Sequence, residues 1–186
     1  MSSMSVALIV VDMLNPYDHE DADPLKESVA DTVPVIADLV GRARETDTLV
    51  VYVNDCWEDW SADRHRIGDS ALAGSAPELV EPLIPDDDLP FIIKARHSIF
   101  YGTSLEYLLR QEDIDRIILT GQVTEQCILY SALDAYVRRF EIAVVRDGVA
   151  HIHQHLADAA LEMMQSNMRA DVLRGSEALA DRASVR

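Results

Sequence analysis

Short runs of apolar, largely β-branched residues recur along the chain: VALIVV at 6–11, TLVVYV at 48–53, FII at 91–93, RIILT at 116–120, EIAVV at 141–145, and a weaker one near 171–173. None alternates with polar residues, as a strand with one wet face would. Continuous apolar strands belong in a sheet covered on both sides. Amphipathic stretches at helical spacing separate them, at about 27–45, 103–111, 124–138 and 155–168. Strand and helix thus alternate, which predicts an α/β fold of three layers, a parallel sheet between two layers of helices. Thr103 and Glu106 have the spacing of a capping box, and Thr124 stands where it can cap a helix carrying Cys127 at its third position.

A length of 186 residues suits one domain, so a single unit over 1–186 is expected. The stretch from about 55 to 90 departs from the alternation. It holds Gly68, Gly74, Pro77, Pro82, Pro85 and the run Asp86, Asp87, Asp88, and reads as an irregular loop or cap.

Composition excludes some partners. Against 16 Lys and Arg stand 33 Asp and Glu, a net charge of -17, which repels nucleic-acid phosphates and anionic membranes. The opening MSSMSVALIVVDML has no basic segment, and its apolar run is too short for a signal sequence or a membrane span. A cytoplasmic protein with a small-molecule substrate is expected. Its two cysteines, Cys56 and Cys127, are then reduced thiols.

Ligands of open parallel sheets bind beyond the carboxyl ends of the strands, which directs attention to the polar residues there. The first run ends in Asp12 and the third in Lys94; the fourth passes through Gly121 to Cys127 at a helix start. A thiolate is favoured by a helix N-terminus and a neighbouring ammonium. Asp12 could take the thiol proton, and amides at the helix start could face an oxyanion. Spacing alone equally allows ordinary strand-end polar residues and a cysteine that is merely small and buried. Cys56 lacks the glycine turn and helix start and reads as structural. No GxGxxG or GxxxxGK[ST] supports a nucleotide cofactor, and none is expected.

The segments VDMLNPY, KARHSIFYGTSLEYLLR and TGQVTEQCILYSALDAY, followed by VVRDGVA, resemble in order the marks of the isochorismatase-like cysteine hydrolase superfamily. The resemblance implies a Rossmann-like sheet of six parallel strands in the order 3-2-1-4-5-6. It implies a triad of Cys127 as nucleophile, Asp12 as general base and acid, and Lys94 as the cation that holds the thiolate and orients the carboxylate. It further implies a cis peptide between Gln122 and Val123, an oxyanion hole from the amides of Val123 and Cys127, and a homo-oligomer, dimer or tetramer. The activity implied is hydrolysis of a C–N bond in a small amide, carbamoyl or ureido substrate through a thioester. Vinyl-ether hydrolysis of the isochorismate type and a non-catalytic binding role on the same fold are the alternatives.

Two departures from the family pattern bear on substrate and metal. Leu14, Asn15, Pro16 and Tyr17 follow Asp12 where many relatives have Gln, Asn and Asp-Phe, so Leu14 and Tyr17, with Trp57, Trp60 and Phe100, are candidate pocket walls. Nicotinamidases of the superfamily bind a metal through an Asp-x-His pair and a further His. Here the region reads NDCWEDW, with Trp57 at a ligand position and His65 nearby, so no metal is expected. His151, His153 and His155 have alternate spacing suggestive of ligands but fall in an expected strand-to-helix connection, and DHEDAD at 18–23 lacks the Gly and terminal Glu of a calcium loop.

Overall fold

The computed structural model describes residues 5–46 and 48–180. Strands β1 (Val6–Val11), β2 (Leu49–Asp55), β3 (Phe91–Lys94), β4 (Arg116–Gln122), β5 (Glu141–Ala150) and β6 (Asp171–Leu173) form one six-stranded sheet. Every pairing is parallel and the order is β3-β2-β1-β4-β5-β6, as the resemblance implied. Alternate residues of β1 serve two cores. Leu8 and Val10 pack with α1 (Ala22–Arg44) through Leu25, Val29, Val33, Ile36 and Leu39. Ala7, Ile9 and Val11 pack on the other face with α4 (Leu105–Gln111), α5 (Leu129–Val137) and α6 (Gln154–Met168). That is why VALIVV has no polar alternation. Burying each such Leu, Ile or Val contributes about 1.5–3 kcal/mol.

Helix α1 starts at Ala22, five residues before the expected start, because Pro24 sits in its first turn. There the missing N–H would have no partner anyway. The capping box at Thr103 does not form. The Thr103 hydroxyl donates to the Ile99 carbonyl, the Glu106 carboxylate accepts from Arg138, and α4 begins only at Leu105.

The 55–90 segment is more ordered than its Gly and Pro content implied. It carries α2 (Arg64–Leu72), α3 (Pro77–Val80) and a 3₁₀ turn at Glu81–Leu83, whose Ile67, Ala71, Val80 and Leu83 join the core on the α1 side. Asp63 caps α2 by accepting from the Arg66 amide at 2.9 Å. Arg64 donates to the carbonyls of Pro85, Asp86, Asp87 and Leu89, which fixes the acidic run to the body.

Gly121 does not end its strand. Its φ is 109°, and an added Cβ would lie 2.1 Å from the Val11 carbonyl oxygen. Only glycine permits that approach, so β4 keeps its register with β1 as far as Gly121 and runs on to Gln122, while its pairing with β5 shifts register between Leu119 and Gly121. The helix after α6, α7 (Gly175–Ala178), closes the described chain. No helix among the described residues is long and apolar enough to cross a membrane.

Candidate active site

Asp12 leaves the carboxyl end of β1 with φ 56°, in the left-handed region that a short polar side chain tolerates best. Its backbone is held on two sides. The Asp12 amide donates to the Val53 carbonyl at 2.9 Å, and Gln122 Nε2 donates to the Asp12 carbonyl at 2.6 Å. The side chain has equally fixed partners: Oδ1 accepts from the Asp55 amide at 2.8 Å, and Oδ2 lies 2.8 Å from Lys94 Nζ.

Lys94 reaches Asp12 across the end of β2, which lies between β1 and β3. Its register partner there is Asp55, whose carboxylate lies 3.3 Å from the same ammonium. Asn54 braces the crossing by bonding both the amide and the carbonyl of Leu14.

Cys127 sits on a π turn, Thr124–Ile128, between β4 and α5, after a cis peptide joining Gln122 and Val123. The expected Thr124 cap is absent. The Thr124 hydroxyl donates to the Ala150 carbonyl, and the Val123 carbonyl accepts from the amides of Gln126 and Ile128, which closes the turn. Cys127 Sγ lies 3.6 Å from Lys94 Nζ, the ammonium that also holds Asp12, and 3.7 Å from His97 Nδ1.

The electrostatics correct one expectation. Burial, reinforced by the charge of Asp12, pushes the Cys127 thiol well above the ordinary value despite Lys94. Burial also raises Asp12, against the pull of Lys94. Burial by itself would lower Lys94, but Asp12, Cys127 and Asp55 outweigh it and hold the ammonium charged. Burial and the neighbouring Asp12 carboxylate thus favour the thiol form at Cys127. The sequence pointed to Lys94 as partner of both the thiol and Asp12 but not to Asp55, which shares the same ammonium.

A family model, the Isochorismatase domain, matches residues 6–177. This chain belongs to the isochorismatase family. It is 31% identical to an uncharacterized isochorismatase family protein of Bacillus subtilis over 92% of this chain and 95% of that one. A maleamate amidohydrolase of Pseudomonas putida is 28% identical over 83% of this chain and 76% of its own length. Among solved structures, an N-carbamoylsarcosine amidase from Thermoplasma acidophilum superposes with a TM-score of 0.75 at 29% identity, covering 95% of this chain and all of that one.

A pyrazinamidase of Pyrococcus horikoshii solved in complex with zinc superposes with a TM-score of 0.72 at 28% identity over 91% of this chain and 99% of that one, and the residues here do not fit a metal of the nicotinamidase type. Asp55 is engaged by Lys94 Nζ and the Trp57 amide, while Trp57, at a ligand position, donates its ring N–H to the Leu14 carbonyl. His65 is exposed on α2. His151 bonds the Ser28 hydroxyl through Nδ1, and the rings of His153 and His155 stand 6.1 Å apart on the surface. Among the described residues no three of His, Cys, Asp and Glu could hold a metal ion together. In the acidic 18–23 stretch, Asp23 pairs with Lys26 in the first turn of α1.

Two candidate walls are core residues instead. Leu14 is fully buried in the α1-side core. Phe100 is buried and stacks on Phe140 at 5.8 Å, next to the amino end of β5 and away from the carboxyl rim that carries Asp12 and Lys94. Tyr17 is buried too, with its hydroxyl donating to the Gln122 side chain. Trp57 is half exposed beside Leu14 and remains a candidate wall; Trp60 is 80% exposed. Asp55, Asn54, the Gln122 side chain and His97 escaped sequence reading. Asn54 and Asp55 carried a signal, as the polar residues that follow the apolar run at 48–53.

Proposed function

We propose that this isochorismatase-family chain is a cysteine hydrolase that cleaves a C–N bond of a small amide, carbamoyl or ureido compound through a thioester at Cys127. One observation carries the reading: the buried Lys94 ammonium holds the Asp12 carboxylate at 2.8 Å and the Cys127 sulfur at 3.6 Å. The relatives named maleamate amidohydrolase and N-carbamoylsarcosine amidase support the choice of bond.

In this scheme Asp12 takes the thiol proton as sulfur bonds to the carbonyl carbon, and the carbonyl π pair moves to oxygen. The amides of Val123 and Cys127 receive that oxyanion. Collapse breaks the C–N bond, and Asp12 returns the proton to the departing amine. Asp12 then deprotonates water for attack on the thioester, and the expelled sulfur recovers the proton. Lys94 stays charged throughout and keeps Asp12 oriented.

The test is amine or ammonia release by the parent and by Cys127→Ala against maleamate, ureido acids, carbamoylated amines, nicotinamide and simple amides. We expect release by the parent on at least one of these and none by the variant. Equal rates in the two proteins would refute the mechanism.

A further inference from the structure

The charge balance at the thiol leaves a vacancy for a second cation. Lys94 is shared by Asp12 and Asp55, so sulfur cannot ionise there without excess negative charge. His97, an exposed residue, brings Nδ1 to 3.7 Å from Cys127 Sγ, whereas Lys94 is buried. The imidazole is held in place by α5. Its ring packs at 5.3 Å on Tyr130, the next residue's hydroxyl, on Ser98, donates to Asp134, and the Ile99 amide donates to the Ser131 hydroxyl at 3.1 Å. Three successive residues are thus tied to one helix, which aims the His97 ring at the nucleophile.

We propose that His97 is a further catalytic residue: in its protonated form it donates from Nδ1 to the Cys127 sulfur as the thiolate develops. This rests on the cysteine-hydrolase reading. A charge-assisted hydrogen bond to sulfur offsets the surplus negative charge that Asp55 creates. Coupling is reciprocal, so thiolate formation favours the imidazolium and the imidazolium favours the thiolate. The other ionisable groups around this pair are Asp12 from β1, Asp55 from β2, Lys94 from β3, and Tyr130 and Asp134 from α5. The Asp134 carboxylate is engaged by Arg138 at 2.6 Å, and Arg96 beside His97 is exposed. Imidazole is the side chain whose charge changes nearest neutrality, so the assistance should fade as pH rises.

The experiment is alkylation of Cys127 by iodoacetamide between about pH 5.5 and 9.5, read by mass spectrometry of the Cys127 peptide to separate it from Cys56. Parent, His97→Phe and His97→Gln are compared, with thermal melts confirming that each is folded. Phe keeps a ring against Tyr130; Gln keeps a donor that does not titrate. The parent should react about three- to tenfold faster than His97→Phe near pH 6, with the ratio approaching one by about pH 9. His97→Gln should show no such pH dependence. A parent-to-Phe ratio that does not change with pH, or a Gln variant that reproduces the parent profile, overturns the proposal. Neither result bears on turnover by Cys127→Ala, so failure here leaves the hydrolase reading standing, and failure of that reading is seen separately.

Discussion

Replacing Lys94 by Met tests the charge arrangement most directly. Met preserves length and apolar stem but removes the ammonium, leaving Asp12 and Asp55 without a counter-charge at a position 1% exposed. Breaking a buried ion pair from one side costs about 3–5 kcal/mol. The protein can escape that cost by protonating Asp12. Starting from an ordinary carboxyl value of 3.8, holding the proton at pH 7 spans about 3.2 pH units, or about 4.4 kcal/mol at 1.36 per unit. At pH 5 the same proton costs about 1.6 kcal/mol. In the variant the folded value of Asp12 lies further above its unfolded one, so the folded state binds the extra proton and loses stability as pH rises. Urea unfolding should therefore show a deficit of about 3–5 kcal/mol at pH 7 and about 2 kcal/mol at pH 5, with unchanged slope. A deficit below about 1 kcal/mol at pH 7, or one equal at both pH values, would refute the claim that Lys94 compensates a buried carboxylate.

Two further substitutions separate site from scaffold. Gly121→Ala forces a Cβ into the Val11 carbonyl at 2.1 Å and demands a positive φ, so it should destabilise by about 3 kcal/mol or more and lower the melting temperature by about 6–12 °C; an unchanged melt would contradict the close approach of β1 and β4. Phe100→Leu should cost about 1–2 kcal/mol of stability through the lost stack on Phe140, yet leave KM for any substrate found in the release assay unchanged; a shifted KM would return Phe100 to the pocket wall.

The sheet was legible because burial on both faces writes itself into the strands. VALIVV and TLVVYV carry no polar interruption, and the structure places a core on each side of β1 and β2. Helix starts were less legible where another hydrogen bond competed with the cap. Thr103 and Thr124 both have the right spacing, but the first hydroxyl donates one turn back to the Ile99 carbonyl and the second to the Ala150 carbonyl, which sequence distance conceals. Asp12, Lys94 and Cys127 were found because they end or follow apolar runs, though the state of the thiol was not. That state depends on burial and on the nearness of Asp12, which a strand pattern does not reveal.

The second carboxylate at Lys94 follows from the topology. A site joining the ends of β1 and β3 must cross the end of β2, because β2 lies between them. Whatever residue closes β2 therefore sits beneath the lysine, and in this chain it is Asp55, in register with Lys94. It acts there in two ways. Its amide donates to the Asp12 carboxylate, while its own carboxylate shares the ammonium that also faces sulfur. The same strand order that brings Asp12 and Lys94 together thus sets Asp55 beside the lysine. Asp55→Asn, which retains the backbone donor and deletes only the charge, should consequently speed alkylation of Cys127 at pH 7 by about three- to tenfold, and an unaltered or slower rate would show that Asp55 only positions the base.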